Sequence, residues 1–228
     1  MSAIDGSGKC GEYLLDFFKS TEMVFRLFVQ GMEESNKKRP PFLRKMARNG
    51  WYLSPEFPIP AIEKIAVGLQ NNRAEAENQL CDYFENRINK IDEYIKTHYS
   101  HRHDIVAEAF WAHRQHKFGV AIPVFLAQAE GTCSDTFGEK LYAKKSGKPA
   151  VAKKLSNFLP GTFWHNVVLQ MIELFPIAEN DSSVQPGQIN RHQIMHGKDC
   201  AYGTRLNSCK AISLIDYVSW VCDVVKPS

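Results

Sequence analysis

Between Arg73 and His98, apolar residues recur at Leu80, Phe84, Ile88, Ile91 and Ile95, three and four positions apart, in a stretch without glycine or proline. That spacing lines one face of an α-helix; the faces of a strand alternate every second residue. Helical periodicity also predicts segments at Glu12–Glu34, Ala61–Leu69, Asp104–His116, Gly119–Ser134, Thr162–Leu174 and Thr204–Val225. Pro60 starts the second of these, Pro176 stops the fifth, and Thr204 caps the last. Pro123 is expected in the first turn of its helix, where a missing N–H does no harm. A short helix is predicted around Phe42–Asn49, and a solvated hairpin or short helix in the lysine-rich Lys140–Lys154. Ser100–Asp104 reads as a polar break, and Asp181–Gly187 as a turn-rich loop. Alternating strand patterns are missing: Asp5-Gly6 and Asn49-Gly50 lack strand-like flanks, and no repeat of solenoid length occurs. The expected fold is all-α, an antiparallel helical bundle with an N-terminal helical extension.

Composition narrows the organisation. With 228 residues, 44% hydrophobic and 11% aromatic, the chain can fill a sizeable core. The division expected is an extension over 1–100 and a core over 101–228. Within the extension, 36–60 reads as a connector holding Lys37, Lys38, Arg39, Arg44, Lys45 and Arg48 among prolines. That basic run, with Trp51 and Tyr52 beside it, is either a solvated linker or a phosphate-binding strip with a stacking aromatic. The net charge of +3 permits a polyanionic partner without requiring one.

Several classes of chemistry are disfavoured. None of the six cysteines forms a Cys-x-x-Cys pair, so neither a zinc site nor a disulfide framework is expected. His98, His101, His103 and Asp104, with His113 and His116 as additions, are metal-ligand types at a spacing that matches no standard zinc pattern. No cofactor is expected, since phosphate loops, Gly-x-Ser-x-Gly elbows and His-Glu-x-x-His are missing. Asp16, Lys19, Glu22 and Arg26 interrupt the first apolar stretch, so neither a signal peptide nor a membrane span is expected there. With unpaired cysteines, a cytoplasmic protein is the expectation.

The chemistry-bearing stretch is Asn190-Arg191-His192-Gln193-Ile194-Met195-His196-Gly197. It offers a permanent cation for a phosphate and imidazoles for proton transfer. Arg191 and His196 are five apart, about 140° around a helix axis, so a break near His196-Gly197 is needed to turn both toward one phosphate. Glu130, on an otherwise apolar helix, is a candidate to orient Arg191 or to form a structural ion pair. Tyr202 and Arg205 are candidate RNA contacts or simply residues at the start of the last helix.

Arg191, the polar His192 and then His196 resemble, in that order, the motif of the HEPN family of helical ribonucleases and RNA-binding domains. The earlier segment Ala107–Ser134, with its short aromatic-glycine turn, resembles that family's core helix pair, so the likeness spans roughly 104–226. The resemblance implies a metal-independent endoribonuclease, serving as a toxin or antiviral effector, that leaves 2′,3′-cyclic phosphate and 5′-hydroxyl ends. His196 would be the general base or acid and Arg191 the phosphate clamp, with His192 or Asn190 orienting. It further implies RNA as substrate, a homodimer with a composite active site, and restraint by an antitoxin or a trigger. The alternative is a non-catalytic RNA- or partner-binding module on the same fold.

Overall fold

The computed structural model describes residues 42–145, 148–156, 177 and 189–225. The helices expected over 12–34 and 162–174, the stop at Pro176 and the loop at 181–187 lie outside the described residues. The chain divides into Met1–Arg39 and Pro40–Ser228, and every described residue belongs to the second unit. That unit is all-α. Among the described residues its helices are α1 (42–48), α2 (Ile59–Asn71), α3 (Arg73–His98), α4 (Ser100–Arg114) and α5 (Phe118–Phe137), then α6 (Ala152–Ser156), α7 (Arg191–Met195) and α8 (Arg205–Val224). A two-residue antiparallel ribbon, β1 (Lys144–Lys145) with β2 (Lys148–Pro149), is the only strand pairing among the described residues.

The longest helix follows its periodicity. The Asn72 side chain caps α3 by accepting from the Glu75 amide, and Lys96 and His98 sit in the last turn, where cations suit the helix dipole. Leu80, Phe84, Ile88, Ile91 and Ile95 are all buried. The polar break expected at 100–104 contracts to Tyr99, whose buried hydroxyl donates to the Ser219 carbonyl at 2.9 Å. Satisfying that hydroxyl inside the core pins the corner, and α4 starts at once.

From there α4 returns along α3: His103 meets Asp92 at 3.3 Å near one end, and Arg114 donates to Asn89 at 2.6 Å near the other. In turn α5 returns along α4, with Arg102 on Asp135 at 2.7 Å and Phe110 against Phe125. The last helix, α8, runs in the same direction as α3. Lys210 reaches Glu77 at 3.2 Å and Asp223 accepts from Tyr94 at 3.0 Å.

Nearly every residue from Asn207 to Cys222 on α8 is buried, so it is a core helix wrapped on all sides rather than an amphipathic surface helix. Two of its polar residues take donors from the chain around 52–54. Ser213 accepts from the Tyr52 amide at 3.2 Å, and Asp216 accepts from Ser54 at 2.9 Å. This is where the connector expected at 36–60 differs. Gly50, at φ +80, ends α1 in a left-handed turn, and the chain then lays Trp51 on Phe84 and Tyr52 on Tyr217. Both aromatics are fully buried and plug the core, so neither is offered to a base. Leu43, Trp51, Phe57 and Ile65 join the same cluster as Phe125 and Ile212. The division expected at 100/101 therefore falls inside one shared core.

Pro123 lies inside α5, beyond the first turn. Its missing N–H leaves the Gly119 carbonyl, four residues earlier, without the usual helical donor, and the Tyr202 hydroxyl supplies one at 2.8 Å. No helix among the described residues is long and apolar enough to cross a membrane.

Candidate active site

The motif forms a single short helix with both ends defined by side-chain chemistry. Asn190, buried, caps α7 by accepting from the Gln193 amide at 3.1 Å. The helix runs only from Arg191 to Met195; His196 is its C-cap and Gly197 turns left-handed at φ +66. The Lys198 amide donates back to the Gln193 carbonyl at 2.8 Å, closing the turn. Ile194 is the buried anchor, while His196, Gly197 and Lys198 are exposed.

Arg191 is held from two sides. It donates to Glu130 of α5 at 3.1 Å, and its guanidinium lies 5.0 Å from the ring centroid of Tyr142. Tyr142 is itself fixed by donating to the Leu126 carbonyl at 3.1 Å. The Arg191 side chain is 27% exposed and that of Glu130 22%, so the pair lies at the rim of the bundle. A single hydrogen bond among the described residues leaves other guanidinium N–H groups for a ligand. The rings of His192 and His196 meet edge to face with centroids 4.4 Å apart. Partial loss of hydration, then the nearby charges of His196, Lys198 and Arg191, hold His192 below the ordinary imidazole value. His192 is therefore neutral at pH 7, the state in which an imidazole accepts a proton.

Of the sequence candidates, Asn190, Arg191, His192, His196 and Glu130 come together here. Tyr202 and Arg205 are engaged elsewhere. Tyr202 serves the Gly119 carbonyl, eleven residues before Glu130 on α5 and so roughly 16 Å away along the helix. Arg205 forks onto Glu85 of α3 at 2.8 and 2.6 Å and reaches Asp82 at 2.6 Å. The histidines around α4 disperse as well. His98 faces Asp223 at 3.6 Å, His101 faces Asp135 at 2.8 Å, and His103 faces Asp92 at 3.3 Å. They make no common ligand set among the described residues.

Sequence reasoning passed over Tyr142, because a tyrosine in a lysine-rich loop carries no local sign that it will underlie an arginine. It also passed over a second polar cluster. His113 of α4 is buried, with its Nδ1 2.7 Å from the Ser208 hydroxyl and its Nε2 3.3 Å from Glu85. A carboxylate can only accept, so Nε2 carries the proton and Nδ1 accepts from Ser208. Burial outweighs the Glu85 charge and keeps His113 below the ordinary imidazole value.

No family model, no curated protein and no solved structure matches this chain.

Proposed function

We propose that this chain is a metal-independent endoribonuclease whose active site is Arg191, His192 and His196. The observation that carries the reading is the pairing of two imidazoles, one held neutral, beside an arginine that is oriented by Glu130 and Tyr142 yet still partly open to solvent. RNA cleavage by internal attack needs one group to take the 2′-hydroxyl proton, one to return a proton to the departing 5′-oxygen, and a cation for the charge that builds on the phosphate. His192 serves as base, His196 as acid, and Arg191 as the phosphate clamp through its free N–H donors. The products are a 2′,3′-cyclic phosphate and a 5′-hydroxyl.

The reading extends to a toxin or antiviral effector restrained by an antitoxin or released by a trigger, acting as a homodimer with two motifs facing one cleft. Met195, 43% exposed beside the histidines, is the apolar residue such pairing would cover. The alternative is a module that binds RNA or a partner without cutting. It draws on the Glu130 carboxylate, which already offsets part of the Arg191 charge.

The test is induction in a bacterial host of wild type, Arg191→Ala and His196→Ala at equal soluble expression, reading growth and total RNA. Cleavage that persists in chelator, ends in cyclic phosphates and disappears in both variants is the expected outcome. Intact RNA and unimpaired growth with the wild type would sink the unrestrained nuclease. RNA binding that depends on Arg191 would then favour the module.

A further inference from the structure

Three helices, α3, α4 and α8, bring a carboxylate, an imidazole and a thiol to one point. One ligand atom from each of Glu85, His113 and Cys209 lies within 4.8 Å of the other two. His113 Nε2 is 3.3 Å from Glu85 Oε1, and Cys209 Sγ is 3.8 Å from the same oxygen. A tetrahedral zinc ion, with nitrogen and oxygen near 2.0–2.1 Å and sulfur near 2.3 Å, sets its ligand atoms about 3.3–3.6 Å apart. The observed separations approach the edges of that tetrahedron, and small side-chain adjustments would close it.

The surroundings are those of a metal-binding set. Cys81, also buried, stands one turn before Glu85 on α3. Ser208 holds the far nitrogen of His113 at 2.7 Å, the outer contact that fixes the ring of a ligating histidine. Its hydroxyl can equally accept from Nδ1–H when Nε2 binds an ion. Arg205, forked on Glu85 at 2.8 and 2.6 Å, fixes the carboxylate in place. Cys81, His113 and Cys209 are buried, while the Glu85 side chain is 31% exposed and gives an ion its route in.

We propose that Glu85, His113 and Cys209 bind a zinc-class divalent cation that fastens α3, α4 and α8 together, with water in the fourth position. Thiol and imidazole donors select zinc over the hard cations magnesium and calcium, which prefer oxygen. The site shares no residue with the Arg191 motif, and the proposal stands whatever that motif does.

The experiment uses the full-length protein. Metal content is measured as purified; the chelator-treated protein is then titrated with cobalt(II), and its melting temperature is read with and without zinc. One equivalent is expected, with the visible bands of tetrahedral cobalt, thiolate-to-cobalt charge transfer and a higher melting temperature. Cys209→Ser should abolish the charge transfer, and Ser208→Ala, which keeps all three ligands, should weaken binding about 10- to 100-fold. Wild-type protein that holds no zinc and shows no charge transfer with cobalt overturns the proposal. So does uptake that is unchanged in both variants, which would place the metal on other side chains such as the histidines around α4.

Discussion

Two arginine–glutamate pairs, each accompanied by histidine, sit in this bundle under opposite conditions. Arg191 touches Glu130 once, at 3.1 Å, from a helix of five residues whose histidines face outward. Arg205 forks onto Glu85 at 2.8 and 2.6 Å from a helix of twenty residues, and His113 beside that pair is buried. Both His192 and His113 are held below the ordinary imidazole value, so both are neutral at pH 7. The difference lies in the imidazoles, His196 being exposed and His113 buried. A cap and a left-handed glycine hold α7 while leaving its side chains open to a phosphate. The long helices α3, α4 and α8 enclose His113 and Cys209, while the Arg205–Glu85 pair stays partly exposed beside them. The same residue types are thus set apart by the burial of their imidazoles, and the two proposals above rest on that difference.

The largest effect expected is on activity. Arg191→Ala or His196→Ala should lower RNA cleavage about 10³-fold or more, while stability in urea changes by less than about 1 kcal/mol, as for exposed groups. If stability collapsed along with cleavage, the open site would be structural after all and the contrast would fail.

The complementary change is His113→Ala. Removing a buried ring and leaving the Ser208 hydroxyl without its partner should cost about 2–4 kcal/mol in urea denaturation, with cleavage per folded molecule unchanged.

A third carboxylate sharpens the contrast between buried and forked acids. Asp216 is buried on α8 with a Ser54 hydrogen bond but no arginine fork, and burial raises its pKa from 3.8 to about 6 against the pull of Arg87. The native state therefore holds the proton more tightly than the unfolded chain. Its contribution is most favourable below pH 3.8 and falls as pH rises toward 6, by about 3 kcal/mol in total. Asp216→Asn should remove that decline in urea midpoints measured between pH 4 and 7. Glu85 behaves in the opposite sense. The Arg205 hydrogen bonds hold its carboxyl below the usual 4.5, so its stabilisation is present above that value and is lost on acidification. Stability of the Asp216→Asn variant that fell steeply above pH 4 would break this division.

The smallest effect belongs to Glu130→Gln. The amide keeps an acceptor for Arg191 but no charge, so cleavage should change about tenfold through orientation, with stability shifting by less than about 1 kcal/mol. Single-turnover rates against the melting temperature would check it.

Much of the helical layout was legible in the residues. The stripe from Leu80 to Ile95 marked α3, and the helix runs from Arg73 to His98 as its periodicity predicts. The break after the motif was legible too, because Gly197 supplies a backbone conformation that other residues avoid. The partner of Tyr202 was not legible, for a physical reason. Its hydroxyl answers a carbonyl freed by Pro123, and that deficit exists only once α5 has formed through the proline. Trp51 and Tyr52 looked like exposed aromatics because basic residues and prolines flank them. Only the approach of α8 turns that stretch into the lid of the core.

By itself, then, the amino-acid sequence determined what depends on neighbours a few positions apart: helical periods, caps at Asn72, Asn190 and Thr204, the turn at Gly197, and the chemical types in the motif. The tertiary structure decided which polar groups answer one another. It set Glu130 against Arg191, Glu85 against Arg205, and His113 between α3 and α8. The reason is the range of the forces. Backbone hydrogen bonds and side-chain spacing are local, whereas the partner of a buried charge is whatever distant helix packing brings to it.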